Sequence, residues 1–310
     1  MRRAFTRKSN IARLALAALA ATAITACGDD DDDDKGGGGA SKPQAQKLAV
    51  SVTKEGKDKY SMSAPTSVKA GLVEISLQTP AGATHDAQIV RVEGNHTVDE
   101  VLKAIGSEEG APTPPWLFAA GGVGQAKSGQ TRTATQEVTP GKYFIIDTGE
   151  PEGENVKSYG ETGATAELEV TGQAATATLP KAAASITAED SGTGKAKEYG
   201  FSTTGLKAGT NQIKFANTGE ELHHVIAFPY NKGTTLADVK KAFMQDGPPS
   251  GPPPVDFENT VGTAALEGGT EQVTSIELKS GKYALVCFIS DRKGGPPHVA
   301  KGMIAETTVK

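Results

Sequence analysis

The heptapeptide Gly281-Lys282-Tyr283-Ala284-Leu285-Val286-Cys287 has an earlier counterpart, Gly141-Lys142-Tyr143-Phe144-Ile145-Ile146-Asp147. Each opens on a glycine and runs into apolar residues. From Tyr283 to Ile289 the run is nearly continuous, the pattern of a central sandwich strand. The parallel extends outward in the same order and at near-constant spacing. Ala70-Gly71-Leu72-Val73-Glu74-Ile75-Ser76-Leu77 matches Ala208-Gly209-Thr210-Asn211-Gln212-Ile213-Lys214-Phe215, and His85 falls at the place of His223. The segment 97–105, starting at Thr97, matches 235–243, starting at Thr235. The chain is read as a duplication.

Short stretches of alternating polar and apolar residues, separated by Gly, Pro, Asn and Asp, predict strands throughout both copies. The expected fold is all-β, with two tandem sandwiches over residues 47–172 and 183–310. The boundary is placed near 172–182, where Gly172 and Pro180 flank an Ala/Thr-rich stretch. One short helix is expected in each copy. Thr97 and Glu100 have capping-box spacing, and Val98, Val101, Leu102 and Ile105 form one face that Gly106 can end. Leu236, Val239 and Phe243 repeat that stripe, and both stripes are expected to pack into the core. The Pro/Gly-rich loops after the helices read as stiff surface connections, with Trp116 covering the edge of its own sandwich. Gly121-Gly122-Val123-Gly124 reads as a turn.

The N-terminus reads as an export signal over residues 1–26. Arg2, Arg3, Arg7, Lys8 and Arg13 form a basic start, and an Ala-rich apolar run from Ile11 to Ala26 follows. Arg2-Arg3-Ala4-Phe5 is similar to part of a twin-arginine signal. The run ends Ile24-Thr25-Ala26-Cys27, which resembles the bacterial lipobox and implies lipidation of Cys27 and loss of everything before it. Residues 27–46, with the acidic run Asp29–Asp34 and the glycines Gly36–Gly39, read as a solvated tether. The implied location is the extracytoplasmic face of a bacterial cell membrane, reached through the lipid. The signal carries five positive charges and no negative ones, so its removal takes the formal charge from −5 to −10. Such an acidic chain argues against binding nucleic acid.

The chemistry-bearing residues lie in the second copy: His223, Cys287, His298 and Met303. Two imidazoles, a thiolate and a thioether make the donor set of a mononuclear electron-transfer copper site, with His and Cys in the plane and Met as a weak axial ligand. Cysteine usage agrees. If Cys27 carries lipid, Cys287 has no partner in an oxidising compartment, and ligation is one use for such a thiol. Burial as an inert core thiol is the other.

Here the second copy resembles the cupredoxins. Ile213-Lys214-Phe215-Ala216-Asn217 followed by His223-His224-Val225-Ile226 is similar to the strand carrying the first His ligand. Tyr283 to Cys287 is similar to the strand leading to the Cys ligand, and four residues separate His298 from Met303, a spacing the family uses. The resemblance implies Greek-key β-sandwiches with one copper per chain and a role as an electron carrier for a redox protein partner. One departure is the ten residues between Cys287 and His298, longer than in the small cupredoxins. With five histidines in all, the chain cannot easily supply a second, all-histidine copper site, which argues against nitrite reduction and multicopper oxidation. No Ser-His-Asp pattern, phosphate-binding glycine loop or zinc-type spacing is present, so an enzyme is not expected.

Two choices stay open in the residues. Ile226 and Phe228 favour His224 as the inward residue, whereas the register of His85, Ala87 and Ile89 in the first copy favours His223, which is taken as the ligand. The first copy lacks the set: Asp147 replaces Cys287, while Tyr159 and Ala164 fall near the places of His298 and Met303. It is expected to bind no metal. The alternatives to electron transfer are a metal-free binding or structural lipoprotein on the same fold, and a copper delivery or buffering protein with a more exposed site.

Overall fold

The computed structural model describes residues 45–310 apart from 58, 109, 154, 155, 174–177, 193, 195, 196 and 245–250. The signal, Cys27, nearly all of the tether, part of the expected boundary and part of the second Pro-rich loop lie outside the described residues. No helix among those described is long and apolar enough to cross a membrane.

The first half forms β1 (Gln46–Lys54), β2 (Tyr60–Ser63), β3 (Ser67–Lys69), β4 (Gly71–Gln78), β5 (His85–Val92), α1 (Val98–Ile105), β6 (Leu117–Ala126), β7 (Thr131–Val138), β8 (Gly141–Ile146) and β9 (Thr165–Thr171). The second forms β10 (Ala184–Ser191), β11 (Glu198–Thr204), β12 (Gly209–Asn217), β13 (Ile226–Pro229), α2 (Leu236–Met244), β14 (Val261–Gly262), β15 (Glu271–Leu278), β16 (Gly281–Val286), a 3-10 turn (His298–Lys301) and β17 (Ile304–Val309). The fold is mostly β and each half is a sandwich. In the first, β2-β1-β4-β7 faces β3-β9-β8-β5-β6; in the second, β11-β10-β12-β15 faces β14-β13-β16-β17.

The two sandwiches are not separate. β7 and β15 pair antiparallel, Gln136 opposite Gln272 and Ala134 opposite Thr274, so one eight-stranded sheet runs through both halves. Nothing in the local periodicity of either strand announces this, because a strand edge chooses its partner through backbone groups.

Each half has an inner core between its sheets and an outer core beneath its helix. Tyr143 and Ile145 point into the first inner core, while Phe144 and Ile146 point outward under Val101 of α1. Tyr283, Leu285 and Cys287 point inward, while Ala284 and Val286 point outward under Val239 and Phe243 of α2. β8 and β16 are thus covered on both faces, which is why their apolar runs are nearly unbroken. The expected caps are present: Thr97 and Glu100 close a reciprocal capping box at the start of α1.

Four expectations need correction. β16 stops at Val286, so Cys287 lies just beyond the strand rather than within it. Ile105 is 39 % exposed, because α1 ends there and its last turn overhangs the core. Gly121, Gly122 and Gly124 lie within β6, not in a turn. A side chain at Gly121 would collide with Gln136 and Gln272 and one at Gly122 with the Ala87 carbonyl, so these glycines permit close approach at the junction of the halves. Finally, the Pro-rich loop after α1 is an inter-sandwich contact, although Trp116 covers its own half as expected, stacked on His96 at 3.8 Å.

Candidate metal centre

Strand alternation aims Cys287. Continuing the inward positions of Tyr283 and Leu285, its side chain enters the inner core and is fully buried. Its carbonyl accepts the Val299 N–H at 2.8 Å, fastening it to the 3-10 turn. His223 reaches the same point from the other side. It bridges Leu266 in both directions (3.0 and 2.9 Å) and, with Val225 and Ala227, occupies the inward face leading into β13. His298 opens the 3-10 turn, its N–H donating to the Ile289 carbonyl at 2.8 Å. Gly302, at φ +96°, turns the chain back so that the Met303 N–H reaches the His298 carbonyl at 2.8 Å. Met303 is fully buried in the core that holds Cys287.

His223, Cys287 and His298 each offer a donor atom, and these atoms lie within 4.8 Å of one another. Both histidines turn Nδ1 to the sulfur, at 3.7 Å for His223 and 3.5 Å for His298. Their opposite nitrogens are pinned by carboxylates. His223 Nε2 lies 2.9 Å from Asp190 Oδ1, and His298 Nε2 lies 3.0 Å from Asp291 Oδ1. His224 faces away from the sulfur, and its Nε2 accepts the Phe288 N–H at 3.1 Å. Ile226 and Phe228 mislead about His224 because they pack in the outer core, so apolarity does not distinguish the two faces of this sheet.

Electrostatics decide the tautomers. Burial would raise Asp291, but Lys301, Tyr199 and His298 outweigh it and hold its carboxyl at about 2. Burial also opposes ionisation of Asp190, yet Lys197, the Glu221 amide and His223 keep it below the ordinary value. Both carboxylates are therefore acceptors only. Burial, then repulsion from His223, pushes His298 down to about 4 against the pull of Asp291. Burial lowers His223 likewise. Each ring is neutral with its proton on Nε2, leaving an Nδ1 lone pair directed at Cys287.

Burial pushes the Cys287 thiol up to about 12, opposed by backbone hydrogen bonds from His224 and Ile289. One thiol proton can serve only one of the two Nδ1 lone pairs. A cation would satisfy both and the sulfur together, and metal uptake would then release the thiol proton. Two imidazoles and a thiolate beside a buried thioether suit copper in both of its common states.

The corresponding place in the first half is filled differently. His85 Nδ1 lies 2.6 Å from Asp147 Oδ2, both fully buried, and the His85 ring packs 4.3 Å from Tyr159 and 5.4 Å from Tyr60. Tyr60 and Tyr199 occupy like positions: Tyr199 stacks on His298 at 4.7 Å and donates to Asp291 at 2.7 Å. Sequence reasoning left the residues holding the ring nitrogens unnamed. Asp190 carried a usable signal, since it follows Ala184, Ile186 and Ala188 on the inward face of β10, where a carboxylate is out of place. Asp291 and Tyr199 carried none.

No family model and no curated protein matches the chain. Among solved structures it is similar to a copper nitrite reductase from Nitrosomonas europaea at 14% identity and TM-score 0.25, covering 86% of this chain and 94% of that one. It is also similar to a dithionite-reduced auracyanin from Roseiflexus castenholzii, at 23% identity and TM-score 0.25, covering 41% and 96%. A multicopper oxidase matches at 13% identity and TM-score 0.23, covering 86% and 89%. The chain folds as two β-sandwiches that share a sheet, and its second half carries a His–Cys–His cluster that fits one copper ion.

Proposed function

We propose that this chain is an electron-transfer protein whose one type 1 copper would be held by His223, Cys287, His298 and Met303. The observation that carries the reading is the pair of Nδ1 lone pairs aimed at one buried sulfur, each ring pinned from behind by a carboxylate. Copper bound there would supply one-electron chemistry between its two states. The chain's part is to hold the rings and sulfur rigidly and to exclude water, which limits rearrangement on electron transfer. Full burial of all four side chains leaves no approach for a substrate and favours a carrier over an enzyme. It also disfavours delivery or buffering, which needs a site from which copper leaves readily. The first half is read as a metal-free sandwich, because His85 is already satisfied by Asp147.

The signal pattern and Cys27 support a location on the extracytoplasmic face of a bacterial membrane, held by lipid, and the copper reading implies a redox protein partner. A Cu(II) titration of residues 40–310, with Cys287→Ser as control, tests the copper reading. An intense thiolate-to-copper band saturating at one copper per chain and absent in the control is the expected result. No band in protein whose Cys287 is reduced would defeat it. Cys27→Ala should abolish incorporation of labelled fatty acid into the full-length chain; labelling equal to wild type would defeat the anchor.

A further inference from the structure

The segment between Cys287 and His298 leaves its own sandwich and lies on the first. Its neck is closed by the bridge between Ser290 and Pro297. Arg292 makes the main contact. Its carbonyl accepts the Thr113 N–H at 2.9 Å, and Nη1 donates to the carbonyls of Leu117 at 3.1 Å and Pro114 at 3.4 Å. Nη2 donates to Glu267 at 2.5 Å, and the guanidinium lies 5.3 Å from the Phe118 ring. The backbone N–H of Arg292 donates to Glu221 at 2.7 Å. Three residues on, Gly295 donates to the Gly110 carbonyl at 2.9 Å. That approach is backbone against backbone: a side chain at Gly110, where φ is +84°, would meet the Gly295 oxygen at 2.8 Å.

The residue before Arg292 is Asp291, which fixes the His298 ring and is itself held by Tyr199 and Lys301. A loop containing Gly294-Gly295-Pro296-Pro297 has too much freedom to hold an imidazole in one place without outside support. Part of that support comes from the second half itself, through Glu221, Glu267, Tyr199 and Lys301, and the rest comes from residues 110–118 of the first sandwich.

We propose that the metal-free first sandwich is the seat of the ligand loop, and that Arg292 is a positioning residue which, clamped on Pro114 and Leu117, sets the His298 ring through Asp291. The role of His298 rests on the copper reading; the seating of the loop does not. It accounts both for the length of the loop and for a sandwich without a donor set of its own.

The test compares full-length wild type with Arg292→Ala, Arg292→Lys and Gly110→Ala. Amide hydrogen exchange is measured on copper-free protein, and the thiolate-to-copper band and midpoint potential on copper-loaded protein. Arg292→Ala should speed exchange of the Arg292, Gly295 and His298 amides roughly tenfold or more, leaving β12 and β16 unchanged, since charged hydrogen bonds are lost only at the loop. The band and potential should shift with it, Arg292→Lys should recover part of both, and Gly110→Ala should reproduce them from the first sandwich. Unchanged exchange, or exchange raised equally in β12 and β16, would overturn the seat. Faster loop exchange with an unmoved band and potential would overturn the positioning of His298. A wild type that takes up no copper would defeat the copper reading, and the exchange comparison would still decide the seat.

Discussion

Asp190 shows how much of the centre depends on atoms that never touch the donors. Its Oδ1 receives the Glu220 and Glu221 amides at 2.9 and 3.0 Å as well as His223 Nε2, and Lys197 lies 2.8 Å from its Oδ2. That network makes it an acceptor and so presents the Nδ1 lone pair to the sulfur. Replacing Asp190 by Asn weakens the hydrogen bond and admits the wrong tautomer. Copper affinity should fall roughly 10–100-fold in a competition titration while the thiolate band persists. Acid should also destabilise the copper-free protein. In the folded state His298 is held down to about 4, whereas unfolded it titrates near its ordinary 6.5. Its contribution is present in full above about 6.5, because the unfolded chain binds the extra proton only below that. It is lost as pH falls through about 4, a change of up to roughly 3 kcal/mol. The window for Asp291 lies lower, between the ordinary carboxylate value and about 2. Denaturant unfolding at a series of pH values should show a decline beginning near 6.5 in wild type that is smaller in His298→Gln, where His223, also lowered by burial, supplies what remains.

Among the elements, β16 and α2 illustrate what alternation can and cannot reveal. Alternation places Cys287 inward, as the run from Tyr283 implies, yet it leaves His223 and His224 unresolved because both faces of the sheet are apolar. The register of the first copy settles what composition does not: His85, Ala87 and Ile89 share one inward face. The outer face is closed by α2, where Phe243 packs 5.1 Å from Phe228 and 5.6 Å from Phe288, the residue after Cys287. Phe243→Ala removes the centre of this aromatic group. Denaturant unfolding should show a loss of roughly 3–5 kcal/mol. Had α2 been a surface ornament, the loss would be under about 1 kcal/mol.

At the scale of the molecule, the seam between the sandwiches is polar and buried. Gln88 of β5 donates to the carbonyls of Gly121 at 3.0 Å and Ala265 at 3.2 Å and accepts the Ala265 N–H at 2.7 Å. The Gly122 N–H is shared between Gln136 of its own half at 2.7 Å and Gln272 of the second half at 3.3 Å. Together with the β7–β15 ladder, these bonds should make the two halves unfold as one. Calorimetry of wild type should give a single transition whose calorimetric and van't Hoff enthalpies agree. Gln88→Ala takes the partner from the Ala265 N–H, while the Ala265 carbonyl keeps the Gly121 N–H, which should cost roughly 1–3 kcal/mol. Two resolved transitions in wild type would show that the seam does not couple the halves.

The sequence by itself determined the strands, the two helices, the duplication and the donor types, because these are carried by residue identity and by periods of a few residues. Only the tertiary structure decided which carboxylates hold the rings, how the two sandwiches share a sheet and where the segment between Cys287 and His298 rests. Those contacts join residues far apart in the chain, 33 positions for His223 with Asp190 and 178 for Arg292 with Pro114. They are made by polar groups able to accept many partners, so their pairing is chosen by proximity in the fold.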